Sequence, residues 1–507
     1  MNLSWYTRVL LALASGAALA LSFPNYNFNL LAWLAITPLI LASCGSKVAV
    51  SPLYGLLHGF AFYPIGFLWI DVVMRQYGNV SSIDSAGILG LVAIAGGIQC
   101  SLFSLGIAIA SKKSPLLACL IAPPLWVAVE FLRGNMAIIS FPWDLAGYAA
   151  SGNIAMVQLT TITGIWGLSF VVSGYSALVA CAIITRGQRV WKAVIVTTAV
   201  LVLIALGGYH FVPRTEKAQY VAHLVQTNFA QSYDYPPDWM PTHTRDLDQL
   251  EQISVNAAKR EPGLIVWPEV PAPFTFHDPL FVARAARIAR DGDTNFLVGI
   301  VDWKVVSGKW IATNSAVLLD PSGKRIFTYD KIHLVPFGEY VPLRRWLTFA
   351  GKLTADIGDF TPGDTYRVGE LPGGSFGAFI CYEGTFPNLV RQFTKEGAGL
   401  LINMSNDGWF GRSSAAAQHL MSERVRAVEN RRWLLRDTNN GFTVDVDPYG
   451  RIVAAMPTDI RGQLDAPYAF RSDMTFYARY GDWFAWLCVI LSFLIVAWAL
   501  IPRERRA

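Results

Sequence analysis

Long apolar runs separated by short polar stretches dominate the first 213 residues. A helix needs roughly 20 mostly apolar residues to cross the hydrocarbon layer of a membrane. The pattern predicts about eight transmembrane helices, seven before residue 213 and one near the C-terminus. Their approximate bounds are 7–23, 27–43, 48–70, 86–110, 115–132, 160–184, 193–212 and 483–501. The second segment is short and contains Pro38, while Pro123 and Pro124 predict a kink in the fifth.

The first apolar segment has a second interpretation, as a cleaved signal peptide. Ala18-Leu19-Ala20 resembles a signal-peptidase cleavage site. Because further apolar segments follow at once, we favour a retained helix.

Between residues 214 and 482 the pattern changes to short, β-branched apolar runs separated by turns and amphipathic stretches, which is typical of an α/β domain. The predicted strands are 220–225, 264–267, 296–300, 315–319, 376–380, 400–403 and 443–446. The predicted helices are 243–259, 280–291, 387–396 and 415–429. The sequence therefore predicts an N-terminal helical region (1–213), an α/β domain (214–482) and a final helix with a basic tail (483–507).

Charge follows the same division. Only 9 of the 41 Lys and Arg residues and 4 of the 36 Asp and Glu residues precede residue 214. Basic residues accumulate in short cytoplasmic loops. Here most of them lie in every second loop between the predicted helices, which places them on one side of the membrane. The basic residues on one side are Arg8, Lys47, Lys112, Lys113, Arg186, Arg189, Lys192, Arg503, Arg505 and Arg506. The loops on the other side carry only Arg75 and Arg133. This pattern predicts that residues 214–482 lie outside the cytoplasm.

Composition also limits the partners. A net charge of +5 over 507 residues, without a basic run interleaved with aromatics, gives no reason to expect a nucleic-acid partner. We find no His/Cys/Asp/Glu cluster with metal-ligand spacing, and in the exported domain no phosphate-binding glycine loop or serine nucleophile elbow. No metal or cofactor is expected.

Cys381 is the only one of six cysteines in the predicted exported domain. A lone cysteine is more often a small buried hydrophobe than a nucleophile. Cys381, however, follows the apolar run 376–380 and precedes a predicted helix, and reacting groups of α/β folds lie at the carboxyl ends of strands. Helix ends and nearby cations lower a thiol pKa, which predicts an activated nucleophile here.

Two further residues complete a candidate catalytic set. Glu269 follows the run 264–267, where partial burial makes a carboxylate a better proton acceptor. Lys331 would stabilise a developing oxyanion, and Glu339 would hold that lysine in place. A solvated strand-end glutamate and a surface ion pair are the plain alternatives. A Cys-His arrangement with His333 or His419 as base is a further alternative that spacing does not exclude.

Residues 267–269, 331–339 and 381–383 together resemble the Glu-Lys-Cys motifs of the nitrilase superfamily. Residues 403–411 and the membrane-region signatures 130–134, 141–143 and 147–148 extend the likeness. Over nearly its whole length the chain resembles the membrane-bound branch of that superfamily, the apolipoprotein N-acyltransferases.

The resemblance implies an αββα nitrilase-like sandwich attached to a transmembrane helical bundle. It implies Glu269 as general base, Lys331 as oxyanion stabiliser and Cys381 as acylated nucleophile, with Glu339, Tyr382 and Glu383 in support. The implied reaction is a ping-pong transfer through a Cys381 thioester. The donor would be a phospholipid, most simply phosphatidylethanolamine, and the acceptor the amine of a diacylglyceryl-cysteine on an apolipoprotein. The implied location is the bacterial inner membrane, with the catalytic domain on the periplasmic side.

Several aromatic residues are candidates for contact with these lipids. The family has a functional tryptophan about where this chain has Tyr235, and Trp239 follows four residues later, so either ring is a candidate. Apolar residues near the catalytic motifs would line an entrance from the bilayer, although core packing is an alternative for each. They are Phe337, Trp346, Leu347, Phe349 and Phe410.

Two other functions remain as alternatives. A membrane-tethered nitrilase-like amidase would use water as the second acceptor and release free acid or ammonia. A non-enzymatic scaffold or transporter would only bind lipoproteins and would not need Cys381. The scarcity of intramembrane charges, with Glu130 as the main exception, disfavours the transporter.

Overall fold

The computed structural model describes residues 3–135, 140–215, 217–232, 235–340 and 360–501. The chain forms two compact units. The first comprises Met1–Val72, Ser81–Val212 and Tyr480–Ala507, and the second comprises Val73–Val80 and Pro213–Arg479. The predicted basic tail residues Arg503, Arg505 and Arg506 lie outside the described residues.

The N-terminal region and the C-terminal segment are helical. Their helices are α1 Trp5–Ala20, α2 Ala32–Ala35, α3 Thr37–Ser43, α4 Ser51–Gly66, α5 Trp69–Gln76, α6 Ser82–Ser111, α7 Pro115–Asn135, α8 Thr160–Thr163, α9 Ile165–Thr185, α10 Gln188–Gly207 and, last in the chain, α17 Trp483–Leu500. Each predicted apolar segment coincides with one or more of these helices.

Within the described part of the chain, five helices are long and apolar enough to cross a membrane. They are Ser82–Ser111, Pro115–Asn135, Ile165–Thr185, Gln188–Phe211 and Trp483–Leu500. The pair α4 and α5 meets the same criteria together, with a bend of 57° between its halves. Trp5–Ala20 and Asn29–Ser43 are apolar but shorter. The count of eight spans therefore stays a prediction.

Two buried charged side chains of this helical unit, Glu130 and Arg133, have hydrogen-bond partners. The Glu130 carboxylate accepts hydrogen bonds from Trp126 Nε1 (2.9 Å) and from the Ala146 amide (2.7 Å). Arg133 donates to the Trp143 carbonyl at 2.7 Å and to the Tyr63 hydroxyl at 3.1 Å. Because buried charges are costly unless paired or hydrogen-bonded, these contacts give both residues a structural role between the helices.

The second unit is an α/β domain. Its helices are α11 Trp239–Thr242, α12 Thr244–Arg260, α13 Pro279–Asp291, α14 Pro387–Lys395, α15 Ala415–Asn430 and α16 Phe476–Tyr480. The last residue of α16, Tyr480, is assigned to the first unit. Its strands are β1 Tyr220–Gln226, β2 Leu264–Val266, β3 Phe296–Val306, β4 Lys309–Leu319, β5 Arg325–Asp330, β6 Val368–Leu371, β7 Gly374–Ile380, β8 Leu400–Ser405, β9 Leu434–Thr438, β10 Val444–Val446, β11 Ile452–Ala455 and β12 Gly462–Tyr468.

The strands form two six-stranded sheets, ordered β12-β1-β2-β3-β4-β5 and β11-β10-β9-β8-β7-β6. Strands β1 to β3 run parallel in the first sheet, as do β7 to β9 in the second. Helices α12 and α13 cover the first sheet, α14 and α15 cover the second, and the sheets pack on each other through β1 with β9 and β4 with β7. This layering confirms the predicted αββα sandwich.

The seven predicted strands and four predicted helices are all present, but five strands had no clear signal. Four of these, β5, β6, β11 and β12, are the edge strands of the two sheets. Edge strands are partly exposed, so their apolar pattern is weak. The fifth, β9, is central and buried, but Arg436 and Asp437 interrupt its apolar pattern, so no strand was predicted there.

Gly299 on β3 lets the chain after β2 pass close to the sheet. A Cβ atom there would lie 2.4 Å from the Pro268 carbonyl oxygen and 2.7 Å from the Glu269 Cα. We expect Gly299→Ala to lower the free energy of unfolding by about 1–3 kcal/mol, because backbone atoms must move. Thermal unfolding in detergent measures the effect, with Gly90→Ala as control, since a Cβ at Gly90 meets open space. Equal unfolding midpoints for the two variants would contradict this close packing.

Candidate active site

Three predicted residues meet at the ends of strands. Glu269 lies three residues after β2, Lys331 directly follows β5, and Cys381 directly follows β7. All three are buried, with 6%, 1% and 7% of their surfaces exposed. Residues from both sheets of the sandwich thus form one cluster. The order of the strands in the sequence did not by itself predict that these residues would meet.

Lys331 is the centre of this cluster. Its Nζ atom donates to Glu269 Oε1 and to Glu339 Oε1, each at 3.0 Å. Burial opposes the charge of the ammonium, but the two carboxylates outweigh it and raise the Lys331 pKa well above its usual value. Lys331 therefore remains a cation in a buried site.

Asn314 on β4 bridges the same two carboxylates. Its Nδ2 atom donates to Glu269 Oε1 and to Glu339 Oε1, each at 2.8 Å. The Lys331 amide in turn donates to the Asn314 carbonyl at 2.8 Å. Sequence analysis missed this residue, because the predicted strand 315–319 begins one residue after it and its partners are distant in the chain.

Cys381 begins a short 3₁₀ turn, Cys381–Thr385, and has a φ of +50°. Left-handed backbone is costly for a non-glycine residue and occurs where surrounding contacts enforce it. Burial raises the pKa of the thiol well above its usual value, and the charge of Glu269 adds to this. Lys331 and the Ser405 hydroxyl act in the opposite direction. The expected lowering of the thiol pKa is therefore wrong, because desolvation outweighs the nearby cation, and the resting thiol is neutral.

Glu383 connects the strand end before Cys381 with the segment after Lys331. One carboxylate oxygen accepts from the Tyr329 hydroxyl (2.8 Å) and from the amides of Ile332 (2.8 Å) and His333 (3.1 Å). The other accepts from the Ile380 amide at 2.7 Å. Burial raises the Glu383 pKa to about 7 against the effect of these donors. The buried Tyr382 ring packs on Phe386, with ring centroids 5.0 Å apart.

Glu269 is also held by the turn that follows β8. The Asn406 amide donates to Glu269 Oε2 at 3.0 Å, and Asn406 Nδ2 donates to the Glu269 carbonyl at 3.2 Å. The next residue on, Val270, has a φ of +27°. Both oxygens of the Glu269 carboxylate therefore have fixed partners, so its orientation is defined.

His419 lies in a buried charged group that contacts the Cys381 backbone. Its Nε2 atom is 3.2 Å from the Cys381 carbonyl oxygen and 2.9 Å from Glu423 Oε1, and its Nδ1 atom is 3.3 Å from Asp407 Oδ1. Arg436 pairs with both carboxylates, contacting Asp407 Oδ1 at 3.0 Å. Burial of the ring opposes protonation, but Glu423 and Asp407 raise the His419 pKa to about 9.

The two histidines of the alternative Cys-His arrangement differ in their charge at neutral pH. His419 is already protonated at neutral pH. His333 packs on Phe386 with centroids 4.0 Å apart, and burial together with Lys331 lowers its pKa to about 4.

The candidate lipid-contact residues have different surroundings. Trp239 is buried in the core of the second unit and stacks on His243 with centroids 4.2 Å apart, while Tyr235 packs edge-on against Trp239 at 5.9 Å. Phe337 is half-buried with a φ of +63°, and Phe410 is half-buried with its ring 6.0 Å from that of His419. Trp346, Leu347 and Phe349 lie outside the described residues.

Two family models match this chain. The carbon-nitrogen hydrolase model matches residues 225–467, and the model of the apolipoprotein N-acyltransferase N-terminal domain matches residues 15–178. With the αββα sandwich and its buried cysteine, these matches define an enzyme of the nitrilase superfamily, whose members use a cysteine-based mechanism.

Curated relatives identify the branch of that superfamily. An apolipoprotein N-acyltransferase from Geobacter metallireducens is 35% identical over 97% of this chain and 95% of its own length. One from Azotobacter vinelandii is 30% identical over 99% and 97%, and one from Methylococcus capsulatus is 30% identical over 94% and 93%. The chain belongs to the apolipoprotein N-acyltransferase family. It is a membrane-bound acyltransferase, so the scaffold or transporter alternative is wrong.

The pKa of His419 gives a stability prediction. Its folded-state pKa of about 9 exceeds the ordinary value of 6.5, so its contribution to stability is fully present below pH 6.5. That contribution, about 3 kcal/mol, is lost as the pH rises through 9. We expect the thermal unfolding midpoint of the wild type to decrease as the pH rises from 6.5 to 9.5. In His419→Gln it should be lower at pH 6.5 and change less with pH. An unchanged pH slope in His419→Gln would contradict the assignment.

Proposed function

We propose that this enzyme transfers an acyl chain from a phospholipid, through a thioester on Cys381, to the N-terminal amine of a diacylglyceryl-cysteine on an apolipoprotein. The family assignment supports the lipid and lipoprotein substrates. We propose phosphatidylethanolamine as the donor, because the resemblance to the apolipoprotein N-acyltransferases implies it. No metal or cofactor enters the proposed reaction.

One observation carries the catalytic part of the proposal. A buried ammonium, Lys331, is shared by two carboxylates within the cluster that contains a neutral thiol. A neutral thiol needs a base before it can attack, and a fixed cation stabilises an oxyanion strongly in a site that excludes water. Glu269 and Lys331 are suited to these two roles.

In the first step, Glu269 takes the proton of the Cys381 thiol while the sulfur attacks the ester carbonyl of the phospholipid. Lys331 stabilises the negative oxygen of the tetrahedral intermediate. When that intermediate collapses, the carbon–oxygen bond of the ester breaks. The lysophospholipid leaves with the proton from Glu269, and an acyl thioester remains on Cys381.

In the second step, the apolipoprotein amine attacks the thioester carbonyl. Glu269 takes a proton from the amine, and Lys331 again stabilises the oxyanion. The carbon–sulfur bond then breaks, the amide product forms, and Glu269 returns its proton to the sulfur. Both half-reactions use one site, which is the pattern of ping-pong kinetics.

The supporting residues act through position in this scheme. Glu339 and Asn314 hold Lys331 and Glu269 at a fixed separation, and Glu383 joins the segment after Lys331 to the strand end before Cys381. Glu383, Glu339 and the buried Tyr382 thereby preserve the alignment of the reacting groups.

The substrates also require a location. We propose that residues 214–482 lie on the periplasmic side of the bacterial inner membrane, which the distribution of Lys and Arg among the loops supports. Lipid substrates would reach Cys381 from the bilayer. Phe337 and Phe410 are half-buried near the catalytic residues, which supports a lining role, whereas the burial of Trp239 leaves Tyr235 as the more accessible of that pair.

Substitution of the base and of the oxyanion stabiliser tests their roles. We expect Glu269→Gln and Lys331→Met each to reduce the rate of acyl transfer by about 100-fold or more, because each removes a group that acts in the transition state. The measurement is the initial rate of N-acylation of a diacylglyceryl lipopeptide in detergent. Matched controls are Glu370→Gln and Lys309→Met, which make the same changes at exposed positions. Wild-type rates in either active-site variant would remove its assigned role.

The choice of acceptor separates the acyltransferase from a nitrilase-like amidase. With phospholipid and a diacylglyceryl lipopeptide present together, the product should be the N-acylated peptide with release of lysophospholipid. Mass spectrometry distinguishes this product from free fatty acid. Release of free acid without peptide acylation, or hydrolysis of simple amides at a higher rate, would favour the amidase.

A further inference from the structure

A short segment between two helices of the first unit belongs to the second unit. Residues Val73–Val80 include the end of α5 and precede α6, yet they pack as part of the catalytic unit. They lie outside the 225–467 match to the carbon-nitrogen hydrolase model and inside the match to the N-terminal domain model. The catalytic unit of this chain is thus larger than the nitrilase-like match.

Tyr77 makes two contacts with a distant turn of the catalytic unit. Its hydroxyl donates to the Gly408 carbonyl at 2.5 Å, and its ring packs edge-on against Trp409 with centroids 5.3 Å apart. Both partners belong to the 3₁₀ turn Asp407–Phe410, which follows β8. Tyr77 therefore holds a turn that lies more than 300 residues later in the chain.

That turn is connected directly to the proposed base. Asn406, which precedes it, donates its amide to Glu269 Oε2 and its Nδ2 atom to the Glu269 carbonyl. The turn has little freedom to readjust, because a Cβ at Gly408 would lie 2.8 Å from Gln231 Cγ and 3.0 Å from Asn406 Oδ1. A displacement of Gly408 would therefore be transmitted to Asn406 and to the carboxylate.

Other residues besides Tyr77 also anchor the turn. Arg436 Nη2 donates to both Asp407 carboxylate oxygens at 3.0 Å, which fixes its first residue. The Gly408 carbonyl accepts from the Gly411 amide at 3.1 Å as well as from Tyr77. Loss of the Tyr77 hydroxyl would leave the turn folded but less restrained, which is the effect expected of a positioning residue.

We propose that Tyr77 is a positioning residue for Glu269, acting through the Asp407–Phe410 turn and Asn406, so that the Val73–Val80 segment is a working part of the active site. This inference rests on the proposed role of Glu269 as base. It gives the N-terminal region a task beyond anchoring the enzyme in the membrane.

Tyr77→Phe tests the inference, because it removes one hydroxyl and keeps the ring against Trp409. We expect kcat for acyl transfer to fall about fivefold to tenfold, the loss expected for one hydrogen bond that restrains a catalytic group. The KM for phospholipid and the thermal unfolding midpoint should stay near their wild-type values. Tyr77→Leu, which also removes the ring, should lose more activity.

The control is Tyr6→Phe, the same change at a side chain of α1 that is 74% exposed. A wild-type kcat in Tyr77→Phe would overturn the inference, as would a fall in kcat that merely follows a lower unfolding midpoint. Failure of the proposed function itself has a different signature: wild-type protein incubated with phospholipid alone would then form no thioester on Cys381.

Discussion

The cluster of Glu269, Lys331 and Cys381 depends on one buried cation. Lys331 is almost fully enclosed, and its contacts with Glu269 and Glu339, at 3.0 Å each, help to make a charge in that position tolerable. Removing either carboxylate would leave an ammonium with one partner, and removing the lysine would leave two carboxylates facing each other. Asn314 completes the arrangement with a neutral donor that contacts both carboxylates. The position of each member is therefore defined by the others.

The sandwich fold brings these residues together at some cost to the backbone. Three non-glycine residues at the site have positive φ: Val270 beside Glu269, Phe337 between Lys331 and Glu339, and Cys381 itself. Such conformations persist only where surrounding contacts enforce them, and they occur often at active sites. Here the enforcing contacts include the hydrogen bonds of Glu383 and the buried charged group around His419.

The sequence predicted the parts of this arrangement that follow from local pattern. The individual buried strands and apolar helices were predicted from their strong periodic signals and are present. The αββα sandwich and the family were implied by the resemblance of the sequence motifs and are confirmed. The edge strands were missed because they are partly polar. Asn314 and Tyr77 were missed because their importance depends on contacts distant in the chain. The direction of the Cys381 pKa was predicted wrongly, since a motif shows a nearby cation but not the degree of burial.

The central claim is that Cys381 becomes acylated by a phospholipid before any acceptor arrives. Mass spectrometry of the Cys381 peptide, after incubation of the purified enzyme with phospholipid alone, measures this directly. The account predicts a peptide whose mass has increased by one acyl chain, and hydroxylamine at neutral pH should remove that chain because it is held as a thioester. An unmodified Cys381 in enzyme that still acylates a lipopeptide, or an acyl chain on another residue, would contradict it.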